Sequence, residues 1–148
     1  MIKKIIILCI CCALLCLTGC NYDKYTDKRP TDFGNALWIC STENYNIWFN
    51  VNTEEEEYYN PKGEITIDGN TYFCKFYFIH QTNQLHISVY SLEYRDASDD
   101  KLYDSNALFQ IKGECDFSFD SFTFNIDKSN DTLFDSSVKS LVFLRIES

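Results

Sequence analysis

Apolar and polar side chains alternate along most of this chain from Ala36 onward, which is the pattern of half-buried β-strands. Segments 47–51, 65–67 and 85–89 each place an apolar residue at every second position. From 109 to 120 the odd positions are apolar or glycine and the even positions are polar. A helix cannot separate residues in this way because its period is 3.6. The pattern therefore predicts strands in all four segments.

Further elements follow from shorter patterns. The sequence 68–70, Asp-Gly-Asn, indicates a tight turn because glycine adopts a positive φ without steric cost. Segment 71–79 after it is apolar on both faces, which is typical of a central strand covered on both sides. The 109–120 run is long for one strand, so we expect Gly113 to mark a bend or a bulge. Segments 122–126 and 140–146 predict two further strands.

The resulting fold class is all-β, an antiparallel meander of about eight strands. Longer loops are expected at 52–63, 95–106 and 127–139, and no amphipathic helix is evident after the N-terminal segment. Sequential strands joined by short turns usually pair with their neighbours. Such a meander hides its apolar face by closing into a small barrel or by folding into a two-sheet sandwich. Of the two, we favour the barrel.

The first twenty residues have a different character. Lys3 and Lys4 form a positive start, thirteen apolar residues follow at 5–17, and the sequence Leu-Thr-Gly-Cys occupies 17–20. Thirteen apolar residues are too few to cross a hydrocarbon core of about 30 Å, which requires about 20. The segment therefore predicts a secretory signal-peptide helix that is removed from the mature protein.

The sequence Leu17-Thr18-Gly19-Cys20 resembles the lipobox of bacterial lipoproteins. That resemblance implies cleavage before Cys20 and a diacylglyceryl group on its thiol, which would hold the protein on the extracytoplasmic face of the cell membrane. The alternative is an ordinary signal peptide with a cysteine at its cleavage site. The expected organisation is a lipoprotein signal peptide at 1–19, a lipidated cysteine and tether at 20–35, and a single β domain at 36–148.

Two further resemblances concern the mature part. Lipocalin-type barrels pack a tryptophan of the first strand against an arginine of the last, and Trp38 and Arg145 occupy such positions here. Gly34 lies four positions before Trp38, whereas the glycine of that family lies two positions before its tryptophan. The mature part is also similar to the small β-rich lipoproteins of Gram-positive bacteria. The first resemblance implies a lipocalin-like barrel, and the second implies a β-rich domain but no particular activity.

The charge of the chain narrows the set of partners. It carries 22 acidic and 13 basic side chains, a net charge of −9, and loss of Lys3 and Lys4 with the signal makes this −11. An acidic surface repels nucleic acid and anionic lipid headgroups. We therefore expect no nucleic-acid partner, and we expect the charge to help hold the domain off the bilayer.

Cysteines do not form a disulfide framework. Besides Cys20, the mature part contains Cys40, Cys74 and Cys115, all in strand-like segments and without a C-x-x-C spacing. Three thiols permit at most one bridge within the chain. Either all three are buried free thiols, or two of them form a disulfide.

The sequence indicates no catalytic residue, no metal site and no cofactor. His80 falls at a hairpin end and His86 on the polar phase of its strand, so we interpret both as solvated. The glutamates at 54–57 form a solvated charge run. Loops 96–100 and 127–131 place acidic or serine residues at calcium-loop positions 1, 3 and 5, but both lack the glycine and the glutamate of an EF-hand.

Aromatic side chains outside the predicted core are the remaining signal. Amphipathic rings on a surface can stack on sugars or contact a protein partner, although they can also simply cover the ends and the second face of a sheet. The candidate ligand surface consists of Trp48, Tyr58, Tyr59, Tyr90, Tyr94 and Tyr103.

Three functional hypotheses follow. The first is a membrane-anchored extracytoplasmic lipoprotein that acts as a non-enzymatic binding or interaction module at its barrel mouth or at a tyrosine-rich face. Its partner would be an envelope polysaccharide or protein. The alternative is a structural or assembly lipoprotein of the envelope without a small-molecule ligand. The third, a hydrolase with paired carboxylates, is the least favoured because no such pair stands out.

Overall fold

A computed structural model describes residues 34, 36–51, 60–79, 82–129 and 133–146. The predicted signal peptide, Cys20, Tyr58, Tyr59 and His80 lie outside these residues. Within them, no helix is long and apolar enough to cross a membrane.

Eight antiparallel strands form a closed barrel in chain order, which confirms the predicted meander. The strands are β1 (Ala36–Ser41), β2 (Tyr45–Val51), β3 (Lys62–Ile67), β4 (Asn70–Ile79), β5 (Gln84–Tyr90), β6 (Phe109–Phe117), β7 (Ser121–Ile126) and β8 (Ser140–Ile146). Because β1 pairs with both β2 and β8, the sheet closes on itself and the sandwich alternative is excluded.

The alternation places one apolar set of side chains inside the barrel. Phe122 stacks on Phe143 with ring centroids 4.7 Å apart, and Phe49 packs on Phe76 at 4.5 Å. Among the described residues no polar or charged residue is fully buried. The largest fully buried side chains of this interior are Trp38, Ile47, Phe49, Ile65, Phe76, Leu85, Ile87, Phe122, Phe124 and Phe143. Packed rings fill the barrel, so its mouth does not lead into an open ligand chamber lined by these residues.

Trp38 and Arg145 are direct partners across the closing pair of strands. Trp38 is fully buried, and Arg145, half-buried, lies opposite it in the β1–β8 register. Because directly paired residues of antiparallel strands face the same side of the sheet, both side chains are directed to the inner face.

Gly69 and Gly113 are glycines for different structural reasons. Asp68 and Gly69 both have positive φ, 49° and 79°, and they form the two-residue turn predicted between β3 and β4. Of the expected bend or bulge at Gly113, the bulge is wrong, because pairing with β5 continues in register through Gly113 opposite Leu85. A Cβ at Gly113 would lie 2.0 Å from the Asn125 carbonyl oxygen, so the residue permits close approach of β7 instead.

The strand that begins at Phe109 ends at Phe117, earlier than the alternation to Asp120 suggested. Phe119 lies in the β6–β7 turn and is 68% exposed. The alternation of apolar and polar residues thus continues past the end of β6 into the turn, where it does not indicate a strand.

The segment 91–108 between β5 and β6 packs on the outside of the barrel. It contains three short 3-10 helices, Leu92–Tyr94, Asp99–Lys101 and Asp104–Asn106. Its Leu102 joins Phe73 of β4 and Tyr90 of β5 in a second apolar cluster that is separate from the barrel interior. Segment 71–79 is therefore covered on its outer face only at Phe73, so the prediction of a strand covered along both sides is correct at one end alone.

Polar contacts also hold segment 91–108 against the barrel. Lys62 Nζ lies 2.9 Å from Asp99 Oδ1, and Lys75 Nζ lies 4.0 Å from Asp99 Oδ2. The hydrogen bond from Lys62 and the charge of both lysines lower the pKa of Asp99. Arg95 forms an ion pair with Glu64 of β3. These contacts fix one wall of the site described below.

Cys40, Cys74 and Cys115 are buried free thiols, the first of the two alternatives from the sequence. Each lies on an inward position of its strand, in the barrel core. Burial raises the pKa of Cys40 to about 11, and it also raises the pKa values of Cys74 and Cys115 well above that of an ordinary thiol. A thiol in this environment stays protonated at neutral pH and is a poor nucleophile.

Candidate functional site

A groove of about 200 Å³ lies on the outer face of β4, β5 and β6. Its base consists of outward side chains, which the strand registers bring into two cross-strand rows. Tyr77, His86 and Lys112 form one row, and Lys75, Ser88 and Gln110 form the other. Leu102 and Asp104 of segment 91–108 form a wall, and Asn60 borders another side. Hereafter "the groove" means this site.

Hydrogen bonds position the wall of the groove. Ser88 Oγ donates to Asp104 Oδ1 at 3.0 Å, and Gln110 Nε2 donates to the Asp104 carbonyl oxygen at 3.2 Å. The hydroxyl of the buried Tyr90 donates to the Leu102 carbonyl oxygen at 3.2 Å. Three outward residues of β5 and β6 thus bind the same short stretch of segment 91–108.

Aromatic and ionisable groups share the open part of the groove. Tyr77 is 46% exposed, and its ring meets that of His86 edge-on with centroids 6.3 Å apart. Partial burial and the nearby charge of Lys112 lower the pKa of His86, and Asp104 opposes this effect. His86 is therefore neutral at pH 7 and can both donate and accept a hydrogen bond. Lys112 and Lys75 supply positive charge to the groove, although Asp99 lies 4.0 Å from Lys75 Nζ and Asp104 lies in the groove wall.

The groove has the chemistry of a binding site for a polar ligand. Ammonium, amide, imidazole and hydroxyl groups offer directed hydrogen bonds, and an exposed tyrosine ring offers an apolar surface for stacking. Asp104 is the one carboxylate among the described lining residues, and its Oδ1 and its backbone carbonyl oxygen each accept a hydrogen bond. Glycoside hydrolysis requires a pair of carboxyl groups across the scissile bond, so the groove does not have that arrangement.

The predicted aromatic surface is dispersed in the structure. Tyr90 faces out of the barrel as the alternation indicated, but it is fully buried because segment 91–108 covers it. Tyr94 packs on Tyr90 with ring centroids 5.7 Å apart. Tyr103 is 59% exposed on segment 91–108, and Trp48 is half-buried on the outer face of β2. The expectation that Tyr90 is an exposed contact residue is wrong, although it borders the groove from beneath.

Sequence reasoning missed Tyr77, Lys75, Gln110 and Lys112, and it interpreted His86 only as a solvated histidine. A signal was present, because all five lie on the outward phase of their strands. What the sequence could not supply was the register that brings residues from three strands into two rows.

The two segments with partial calcium spacing contain local hydrogen bonds. Ser98 Oγ donates to Asp100, and Asp127 Oδ1 accepts from the Ser129 backbone N–H at 3.0 Å. Within the described parts of the chain no three His, Cys, Asp or Glu residues converge in a manner that suits a metal ion.

Comparisons with protein-family models, with curated proteins and with solved structures gave no match to this chain.

Proposed function

We propose that the chain is a membrane-anchored extracytoplasmic lipoprotein and a non-enzymatic binding module, and that the groove binds an acidic envelope polysaccharide. The anchoring part of the proposal is supported by the lipobox-like sequence ending at Cys20 and by the apolar segment before it. The binding part is supported by one observation above all. Two lysines and a histidine surround an exposed tyrosine in a protein whose net charge is −9.

Charge distribution is the reason for choosing an acidic ligand. A chain with 22 acidic side chains repels polyanions over most of its surface, so a local pair of lysines selects where a polyanion can approach. Lys75 and Lys112 lie in different rows of the groove, on either side of His86 and Ser88. Sugar carboxylates would meet the lysines, and sugar hydroxyls would meet the neutral His86 and Gln110.

Tyr77 supplies the stacking surface. A sugar ring presents an apolar face of C–H groups that packs on an aromatic ring while its hydroxyls keep their hydrogen bonds. Tyr77 lies beside His86 at the open side of the groove, whereas Tyr90 is sealed below. Tyr77 is therefore available to stack on the ligand, whereas Tyr90 holds segment 91–108 against the barrel.

The anchoring claim is tested by mass spectrometry of the protein extracted from cells with detergent. The proposal predicts a diacylglyceryl group on Cys20 and no peptide from 1–19. An intact, unlipidated N-terminus would contradict the anchor and would leave the binding claim to be judged on its own measurement.

The binding claim is tested by titration calorimetry of the full-length protein with acidic polysaccharide from a bacterial envelope. Lys112→Gln should weaken binding at least about tenfold, since a charge-assisted hydrogen bond contributes about 1.5–3 kcal/mol. Lys139→Gln is the matched control, because Lys139 is an exposed lysine outside the groove. Equal affinities of the two variants would show that the groove is not the site.

The structural or assembly alternative is favoured by a different observation, an exposed apolar area on β8. Val142 is 50% exposed and Leu144 is 55% exposed on its outer face. Exposed apolar patches commonly mark interaction surfaces. We assign this area below to contact with the membrane, which is compatible with a binding role for the groove.

A further inference from the structure

The outer face of the barrel has a charged half and an uncharged half. On the side formed by β3 to β6, the outward residues include charged side chains, namely Lys62, Glu64, Lys75, Lys112, Glu114 and Asp116. On the side formed by β7, β8, β1 and β2, the outward strand residues are serines, a threonine, asparagines, aliphatic residues and Trp48. Within these four described strands, none of the outward side chains carries a charge.

The centre of the uncharged half is apolar. Trp48 of β2 lies opposite Ile39 of β1, and Ile39 lies opposite Leu144 of β8, so three apolar residues form a row across three strands. Leu37 and Ile146 are paired directly beside that row. A shallow depression of about 360 Å³ borders this area. We call the area the seam face, defined by Leu37, Ile39, Trp48, Val142, Leu144 and Ile146.

The seam face lies at the place where the chain enters the barrel. β1 begins at Ala36, and the next residue, Leu37, is part of the seam face. The β6–β7 turn is at the same end, because the Arg145 backbone N–H donates to the Asp120 carbonyl oxygen at 2.9 Å. Phe119 in that turn is 68% exposed. The entry end of the barrel is thus the end with exposed apolar side chains next to the seam face.

We propose that the seam face rests on the lipid bilayer to which the chain is anchored. The proposal rests on the proposed attachment of lipid to Cys20. Cys20 precedes Ala36 by sixteen residues, which span at most about 55 Å when fully extended. The anchor therefore limits the start of β1 to within about 55 Å of the membrane surface, so the seam face can reach the bilayer without an additional partner.

Electrostatics distinguishes the half of the barrel that contains the seam face from the half formed by β3 to β6. The net charge of the chain implied that the domain is held off an anionic bilayer. The structure shows that the charged strand residues are concentrated on the opposite half, so an approach on the seam face brings uncharged strands to the lipid. Trp48 at its border is of the residue type that accumulates at membrane–water interfaces.

Contact through the seam face also fixes the direction of the groove. In an eight-stranded barrel β1 and β5 lie on opposite sides, and β5 is the central strand of the groove. A seam face on the bilayer therefore turns the groove away from the membrane, towards the surrounding envelope.

Tryptophan fluorescence tests this arrangement in the lipidated full-length protein. The protein is reconstituted into vesicles of phosphatidylglycerol and phosphatidylcholine, with or without bromine on the phosphatidylcholine acyl chains. Trp38 is fully buried in the barrel, and Trp48 is on the seam face, so contact should quench Trp48. We expect brominated lipid to remove more than half of the Trp48 emission, and the Trp48→Phe variant measures the background from Trp38.

A matched pair of variants gives the control. Leu144 and Leu108 are exposed to nearly the same extent, 55% and 54%, but Leu108 lies next to β5 and β6 on the groove side. Leu144→Glu should abolish the quenching of Trp48, because it places a charge in the seam face. Leu108→Glu should leave the quenching unchanged.

The outcomes separate this proposal from the anchor itself. If the protein floats with the vesicles but Trp48 is not quenched, the anchor stands and contact through the seam face is overturned. If sedimentation in detergent shows a dimer that Leu144→Glu converts to a monomer, and Trp48 is not quenched, a second copy covers the face instead. Equal quenching in the Leu144→Glu and Leu108→Glu variants would overturn the proposal as well.

Discussion

Ile39 and Leu144 lie directly opposite each other across the β1–β8 pairing that closes the barrel, and both side chains face outward. On the other side of the barrel Tyr77, His86 and Lys112 form a polar cross-strand row. The same fold thus presents an uncharged apolar face and a polar groove on opposite sides. We assign the apolar face to contact with the membrane and the polar groove to binding of a ligand.

Tyr90 should contribute to stability through its hydroxyl. Tyr90→Phe removes the hydrogen bond to the Leu102 carbonyl oxygen and leaves that buried acceptor without its donor. We expect the free energy of unfolding in urea to fall by about 1 kcal/mol. Tyr103→Phe is the control, since Tyr103 is exposed. Equal unfolding free energies of the two variants would contradict the role of Tyr90 in fixing segment 91–108.

Gly113 should not tolerate a side chain. In Gly113→Ala the new Cβ would lie 2.0 Å from the Asn125 carbonyl oxygen and 2.6 Å from Phe124 Cε2, so paired strands would have to separate. We expect a loss of about 3 kcal/mol or more in the free energy of unfolding, at the upper end of overpacking effects. Glu114→Ala, a change at the neighbouring outward position, should change it by less than about 1 kcal/mol. A wild-type urea midpoint for Gly113→Ala would refute the close approach of β6 and β7.

The three core thiols should be unreactive in the native protein. Burial raises the pKa of Cys40 to about 11 and also raises the pKa values of Cys74 and Cys115, so little thiolate exists at pH 8. Ellman's reagent should react slowly with the folded protein and should titrate all three thiols after unfolding in guanidinium without reductant. Recovery of only one of them under those conditions would indicate a disulfide and contradict the structure.

His86 should make ligand binding depend on pH. Its pKa is lowered by partial burial and by Lys112, while Asp104 opposes the shift. A polyanion next to His86 would favour the protonated ring, so binding takes up a proton. The affinity for acidic polysaccharide should therefore rise as the pH falls below about 6.5, the ordinary histidine pKa. In His86→Gln this rise should disappear, and its persistence would show that another group is responsible.

The same histidine should influence stability in the opposite sense. Because the folded-state pKa is below the unfolded value, the unfolded chain binds the proton more readily. The neutral ring therefore makes its full contribution to the free energy of unfolding above the unfolded-state pKa of about 6.5. This contribution is lost as the pH falls from about 6.5 through the lower folded-state pKa. Ligand-free unfolding at pH 5 and pH 7, compared between wild type and His86→Gln, measures this contribution.

Much of the barrel was predictable from the sequence because several strands carry their own period of two. Segment 109–117 is a clear case, since alternation determines which side chains face inward without knowledge of any partner strand. Closure of the barrel depends on the pairing of Leu37 with Ile146, which no local pattern encodes. The favoured barrel was confirmed, but the choice over a sandwich rested on general architecture.

The candidate site was less predictable, for two physical reasons. The burial of Tyr90 depends on segment 91–108, whose short 3-10 helices leave no periodic signal. The groove depends on the strand register. Tyr77 and Lys112 are far apart in sequence, and they share a row only because each is paired with His86 of β5. Burial by a covering segment and convergence across strands are both tertiary effects.

Hydrogen–deuterium exchange of the full-length lipidated protein, with and without acidic envelope polysaccharide, decides whether the groove is the binding site. Our account predicts that the ligand slows exchange in segment 91–108 and in the adjoining strands β4 to β6, and that Tyr77→Ala removes this protection while Tyr103→Ala retains it. Protection confined to β8 and β1, or no protection at saturating polysaccharide, would contradict the assignment of the groove as the binding site.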